Sequence, residues 1–430
     1  MAQGTKPHQV TPSNIRGGET EADLKDLDPI IENKELVVFG EADHFLSGIH
    51  RFGTEMFRYL AEKKGYRVFL LEVAWGIDEG FADFMKSDRK ELQGDEYLFL
   101  NAWNSKEVVD LLYWIRDFNR QHPGDPIHLA GFQPEQPVTD FNDLWQFVSR
   151  SKKFADSDLK NKTAVCRTST GEYKTNLDFI SANSKRRRAG QHIYTAEERA
   201  ACNQGLDAVA SFIEQNKKEL IARSSPDEYR IAQAHLLSLR TYLNTTTAGL
   251  DLLVDKKQLT LDEQRALGHK GYSEIDKARA EIFQTLYETR YRGKKIMLWM
   301  HNWHAMKHAD EVDAVGEGPI PKGTISVGTR LAQMYGKKLV TIGSIVPCKQ
   351  PCQEPPRADS LETRFAATLG PGSAIIDLKR PAARFAQLPL DTPGSLQAYL
   401  NKIYFLGVVL DRQFDGLYYL SESGATFDKK

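Results

Sequence analysis

Three short apolar runs lie far apart in the chain: Leu36-Val37-Val38-Phe39-Gly40, Val68-Phe69-Leu70-Leu71 and Lys295-Ile296-Met297-Leu298-Trp299-Met300. None alternates with polar residues, so each reads as a strand buried on both faces. Between the first two, Phe52, Met56, Tyr59 and Leu60 recur at helical intervals, which predicts a helix from Ile49 to Lys64 closed by Gly65. The second strand is expected over Arg67 to Val73. Ser105 then opens a helix with Val108, Leu111, Leu112 and Ile115 on one face, and Glu107 suits its positive end. Pro123-Gly124-Asp125-Pro126 breaks that helix, and Ile127 to Gly131 reads as a third strand. Strands alternating with helices predict βαβ units and a mainly parallel sheet.

From about Thr139 to Tyr291 the pattern becomes helical, over Leu144 to Lys153, Ala196 to Ser224, Pro226 to Asn244 and Ser273 to Tyr291. The stripes Ala208, Val209, Phe212, Ile213 and Ala232, Leu236, Leu239, Leu243 have the spacing of helices packed on helices. Strands resume at Lys295–Met300, Lys338–Gly343, Ala374–Asp377 and Gly416–Leu420, with helices expected over Gly328 to Tyr335 and Ser360 to Leu369. The fold class expected is therefore α/β: a mainly parallel central sheet flanked by helices, with a large helical insertion capping the cleft. Residues 25–138 and 292–430 would form the α/β core and residues 139–291 the insertion. No fixed-period repeat interrupts this plan.

The 430 residues carry 57 Lys and Arg against 58 Asp and Glu, a formal charge of −1. That balance argues against nucleic acid or an anionic membrane as a general partner, since both need a basic surface excess. The densest basic run, Arg186-Arg187-Arg188, reads as a solvated loop or helix end. No apolar run approaches the ~20 residues of a membrane helix. The longest candidate, Ile403 to Leu410, is broken by Gly407. The polar start up to Leu24 has no apolar core of a signal peptide and would suit an exposed mature N-terminus. Four cysteines permit two disulfides, Cys166–Cys202 and Cys348–Cys352, with free thiols the alternative. Paired cysteines would favour a secreted or periplasmic location.

The chemistry gathers where the apolar runs stop. In an open α/β sheet, ligands bind beyond the carboxyl ends of the strands. Glu41 and His44 follow the first run, Glu72 ends the second, and His301, Asn302 and His304 follow the third. A carboxylate beside an imidazole raises its basicity and fixes its tautomer, as a general base requires. Each group also has a plainer reading, Glu41 as a helix cap and Glu72 in a structural ion pair. Arg51 is a candidate anion contact, whereas His50 and His128 read as structural and His308 as solvated. The chain has no Gly-x-Ser-x-Gly elbow, dinucleotide fingerprint or phosphate loop. What remains is water activated by His and Glu, with or without a metal.

At these residues the chain resembles the erythromycin esterase family. The family's Gly-Glu-x-x-His stands as Gly40-Glu41-Ala42-Asp43-His44, its Leu/Phe-Glu strand end as Leu71-Glu72 followed by Trp75, and its His-Asn-x-His as His301-Asn302-Trp303-His304. Trp114-Ile115-Arg116-Asp117-Phe118-Asn119, Val327-Gly328-Thr329-Arg330-Leu331 and Phe414-Asp415-Gly416-Leu417 match further family segments in order, from about residue 30 to 427. The resemblance implies hydrolysis of an ester or macrolactone, a small-molecule substrate, without metal or cofactor. It implies His44 as the base, with Glu41, Glu72 and His301 completing the catalytic set. With it, His304, Asn302 and Trp75 are expected to contact substrate, alongside Arg51 as the candidate anion contact. The chain departs from the family pattern at Gly131-Phe132-Gln133, where an Asp is expected for Gln133. It departs again at Glu55, near an expected Arg, and around Asp276 to Arg279, where an Arg-Asp-x-x-Met segment is expected. These departures bear on substrate more than on hydrolytic chemistry. A metallohydrolase with Glu41, His44, Glu72, His301 and His304 as ligands, and a binding or accessory protein without hydrolysis, are the alternative readings.

Overall fold

The computed structural model describes residues 24–93, 96, 100–254, 260–315, 322–347, 358–399 and 403–421. Seven strands form the main sheet: β1 (Leu36–Glu41), β2 (Tyr66–Ala74), β3 (His128–Gln133), β4 (Lys295–His301), β6 (Leu339–Ile345), β7 (Ser373–Asp377) and β10 (Gly416–Leu420). Their order is β3-β2-β4-β1-β6-β10-β7, parallel throughout except for β7, an antiparallel edge strand. The α/β expectation with a mainly parallel sheet holds.

The alternating sides of β1 explain why its sequence is continuously apolar. Val37 and Phe39 face a core shared with Phe52, Met56 and Trp299, covered by α1 (Ser47–Lys64) and α2 (Lys106–Gln121). Leu36 and Val38 face the opposite core, with Ile282, Phe283 and Leu331. Gly65 ends α1 at φ 74°, a left-handed conformation that glycine adopts without the clash a Cβ would bring.

Between β3 and β4 run α3 (Pro137–Val148), α4 (Asn176–Arg188), α5 (Ala196–Gln215), α6 (Pro226–Thr241), α7 (Thr247–Val254) and α8 (Leu261–Glu288). Most of them share a separate core that includes Phe141, Leu206, Val209 and Leu239. The Cys166–Cys202 disulfide lies within it. Cys348 and Cys352 lie outside the described residues.

Several boundaries differ from the periodicity. The helix expected to run from Ala196 to Ser224 breaks at Asn216, whose side-chain N–H donates to the Phe212 carbonyl at 2.8 Å. The helix expected from Ser273 begins at Leu261, fixed by a reciprocal cap between Thr260 and Glu263. Helix α4 was not expected, because its few apolar residues form no stripe; it carries Arg186, Arg187 and Arg188 in its last turn, opposite the negative helix end.

A second, three-stranded antiparallel sheet was also unexpected. It joins β5 (Asp313–Val315), β9 (Ile403–Val408) and β8 (Gly394–Tyr399). Helix α9 (Val327–Tyr335) precedes β6. No helix among the described residues is long and apolar enough to cross a membrane.

Candidate active site

The candidate groups converge because three neighbouring strands end together. The Cα register pairs Glu41 with His301 across β1 and β4, and Leu71 with Trp299 across β2 and β4. Both neighbours of β1, β4 and β6, arrive later in the chain than β2 and β3. This leaves β1 at the point where the winding changes direction, where α/β sheets form their crevice. Side-chain alternation sends Glu41 and His301 toward the α1 side and Glu72 toward α8.

On the α1 side, Glu41 is fully buried. It hydrogen-bonds Nδ1 of His44 through Oε1 and accepts from Nε1 of Trp299 at 2.8 Å through Oε2. Burial raises the Glu41 carboxyl above its usual range, opposed by His44 and Trp299. The His44 side chain is 26% exposed. Desolvation works against its charge, but the hydrogen bond and charge of Glu41, with Glu72 and Asp43 behind, more than offset this and raise it to about 9. Because Nδ1 is engaged, Nε2 is the ring nitrogen left to exchange a proton. Trp103 packs edge-on against the imidazole, with centroids 4.9 Å apart.

His50 supports this pair from below. Its Nδ1 is 2.7 Å from Ser105 Oγ and its Nε2 is 3.6 Å from Glu41 Oε2. Burial, then the charge of His44, pushes it down to about 3, so it stays neutral.

On the α8 side, Glu72 accepts from the His301 backbone N–H at 3.0 Å and pairs with Nη2 of Arg279 at 3.0 Å. Burial alone would raise Glu72, but the charges of His304, Arg279 and His44 and the backbone hydrogen bond bring it down to about 2. Asp276 bridges Arg279 at 2.9 Å and His304 Nδ1 at 2.8 Å, and it accepts from the Val327 N–H at 3.2 Å at the start of α9. Asp276 and Arg279, three apart on α8, therefore form the polar shell around Glu72. In the sequence, the family's Arg-Asp-x-x-Met segment is not clear around these two residues. Their spacing resembles a common helix-surface ion pair, and only the buried neighbours distinguish it.

His301 lies between the two halves, 5.3 Å ring to ring from His44. Its Nδ1 accepts from the Trp303 N–H at 3.3 Å, which leaves the proton on Nε2. Burial, then the charges of His44 and His304, pushes the ring down to about 3. Nε2 is buried without a well-formed hydrogen bond.

Gln133, where a carboxylate was expected, donates from Nε2 to the Glu72 carbonyl at 2.6 Å and braces β2 against β3. A carboxylate does stand nearby, at Glu135. Burial raises it, Arg279 lowers it and Glu72 raises it, which places it in the field of the same cluster.

The residues assigned to substrate contact are mostly buried and engaged by protein partners. Asn302 is buried with both amide arms engaged, donating to the Ser344 carbonyl at 2.8 Å and accepting from the Ser344 N–H at 3.2 Å. His304 is 6% exposed and held by Asp276. Trp75 is buried; it donates to Asp140 at 3.0 Å and packs on His235, so it ties β2 to the helical region. Arg51 lies half-buried on α1 and acts on the charge of Glu55. Among the described residues, no group of three or more His, Cys, Asp or Glu is arranged to hold a metal ion. The two carboxylates are spent on Arg279, Trp299, His44 and a backbone N–H.

The sequence profile described as erythromycin esterase matches residues 61–423. The chain belongs to the erythromycin esterase family. YbfO of Bacillus subtilis (strain 168), a protein named as a hydrolase, is 22% identical over 415 residues, covering 93% of this chain and 86% of its own length. The fold matches erythromycin esterase EreC, solved as a mutant in its open conformation, with a TM-score of 0.71 at 15% identity over 95% of each chain. A Bacillus cereus protein matches with a TM-score of 0.69 at 19% identity, covering 98% of this chain and 95% of the other. The family and YbfO together support a hydrolase.

Proposed function

We propose that this erythromycin esterase family member hydrolyses a carboxylic ester or macrolactone by direct attack of water, with His44 as general base. The observation that carries the reading is the Glu41–His44 pair: a buried carboxylate fixes Nδ1 and leaves a quarter-exposed imidazole with Nε2 free to act. In its neutral form His44 takes a proton from water as the oxygen bonds to the substrate carbonyl carbon. The tetrahedral oxyanion forms beside His301, whose neutral ring offers the Nε2 proton to it. Collapse breaks the bond to the leaving alkoxide, which recovers the proton from His44. Glu41 stabilises the imidazolium between these steps. Glu72, fixed by Arg279 and the His301 N–H, holds β4's end in place and adds negative potential.

Stopped-flow hydrolysis of aryl esters, alongside alkyl esters and macrolactones, tests this. Direct attack predicts turnover with no burst of alcohol stoichiometric with enzyme; such a burst would require an acyl-enzyme and overturn the route.

A further inference from the structure

Ser105 opens α2 as its N-cap, with Oγ accepting from the Val108 N–H at 3.3 Å. The same oxygen lies 2.7 Å from Nδ1 of His50 on α1, and both side chains are buried. In a neutral imidazole one nitrogen donates and the other accepts, so this contact bears on where the His50 proton sits. The hydroxyl can give its own proton to Nδ1 or receive one from it.

The far side of the ring decides between them. Nε2 is buried without a well-formed hydrogen bond, and Oε2 of Glu41 lies 3.6 Å from it. A bare lone pair on Nε2 would be repelled by the carboxylate, whereas an N–H is attracted to it. Trp299 holds the same oxygen, its Nε1 donating to Oε2 at 2.8 Å. The His50 and Trp299 rings meet edge to face with centroids 5.3 Å apart. Gly53, on the next turn of α1, makes room for that indole, since a Cβ there would come within 2.7 Å of its ring. Oε2 is therefore the anchored oxygen of Glu41, and Oε1 is the one offered to His44.

We propose that His50 and Ser105 are positioning residues for the base. The serine hydroxyl donates to Nδ1, which keeps the His50 proton on Nε2. That N–H is turned toward Oε2 and helps Trp299 hold Glu41 with Oε1 on His44. At 3.6 Å the contact is longer than a hydrogen bond, as such contacts are before the reacting complex forms and tightens them. The capped end of α2 is by this route tied to the base. The catalytic part of this proposal rests on reading His44 as general base; the place of the His50 proton does not.

Nitrogen-15 NMR of histidine-labelled protein reads the tautomer without any substrate. One His50 tautomer, protonated at Nε2, is expected at neutral pH in wild type and in Ser105→Thr, which keeps the hydroxyl. Ser105→Ala should give a mixture. Wild-type His50 protonated at Nδ1, or exchanging between tautomers, overturns the proposal and leaves the hydrolase reading standing. The low-field proton resonance of the Glu41–His44 hydrogen bond reads the positioning. It should move upfield in His50→Leu and return in His50→Gln, whose amide N–H can stand near the place of Nε2. With p-nitrophenyl acetate, kcat/KM of His50→Leu should fall roughly tenfold to a hundredfold, the scale of a misplaced catalytic group. Its pH midpoint should drop by about half a unit or more as the bond to Glu41 weakens, and His50→Gln should recover most of both. A resonance and a midpoint that stay put in folded His50→Leu make His50 a packing residue and overturn its role. The expected spectra with no ester turned over retain the tautomer and remove the hydrolase reading.

Discussion

The guanidinium of Arg279 lies 3.0 Å from Oε1 of Glu72, and both groups are buried beneath the crevice. Removing the guanidinium takes away the direct ion pair of Glu72 in a low-dielectric site and leaves only His304 and His44 to offset its charge. Arg279→Met should therefore destabilise the fold by about 3–5 kcal/mol, the usual cost of breaking a buried pair on one side. Chemical denaturation read by circular dichroism measures it. A loss under about 1 kcal/mol would show that Glu72 does not depend on Arg279.

The raised pKa of His44 sets the sign of the pH dependence. A base acts only when deprotonated, so kcat/KM should climb with pH from neutrality, reach half its plateau near 9 and level off about one unit above that. Glu41 supplies the largest of the effects that raise His44. Glu41→Gln should move the midpoint down by about one unit or more, toward the ordinary imidazole value, while lowering the plateau. A midpoint that stays put in this variant would separate the profile from the Glu41–His44 pair.

His301 is held neutral by burial with its proton on Nε2, so its contribution is a hydrogen bond rather than a charge. His301→Ala should lower kcat by roughly 10²–10³, the usual worth of one oxyanion donor, with the pH midpoint kept above neutrality. If KM rises and kcat holds, His301 binds substrate and does not stabilise the oxyanion.

The strand-end residues were legible in the sequence for a physical reason. A charge directly after an uninterrupted apolar run must sit at the edge of a buried sheet, and three such edges rarely meet without purpose. The partners on α8 were not legible, because Asp276 and Arg279 read as any exposed i, i+3 pair until the fold puts Glu72 and His304 against them. Asn302 and Trp75 sit in motifs, and a motif does not reveal that both side chains are buried and hydrogen-bonded within the protein. The second sheet escaped because its strands pair across long stretches of sequence, as Asp313 with Gly407 shows. Glu135 was not legible because it stands two residues beyond Gln133, the position at which the family pattern carries its carboxylate.

Cys166 and Cys202 close a loop of 36 residues inside the core of the helical region. Loop-closure entropy assigns such a bond about 3–4 kcal/mol. Reduction should lower the melting temperature by several degrees, measured by differential scanning calorimetry with and without dithiothreitol, while ester turnover below that temperature persists. An unchanged melting temperature would mean that the bond carries no part of the stability.

The central claim is that one imidazole activates water, and its direct test is the hydrolysis of p-nitrophenyl esters by wild type and by His44→Ala at alkaline pH. The geometry predicts a fall in kcat of about a hundredfold or more, the range for a lost general base, in a protein whose melting curve is otherwise intact. Turnover by the folded variant close to that of wild type would contradict it.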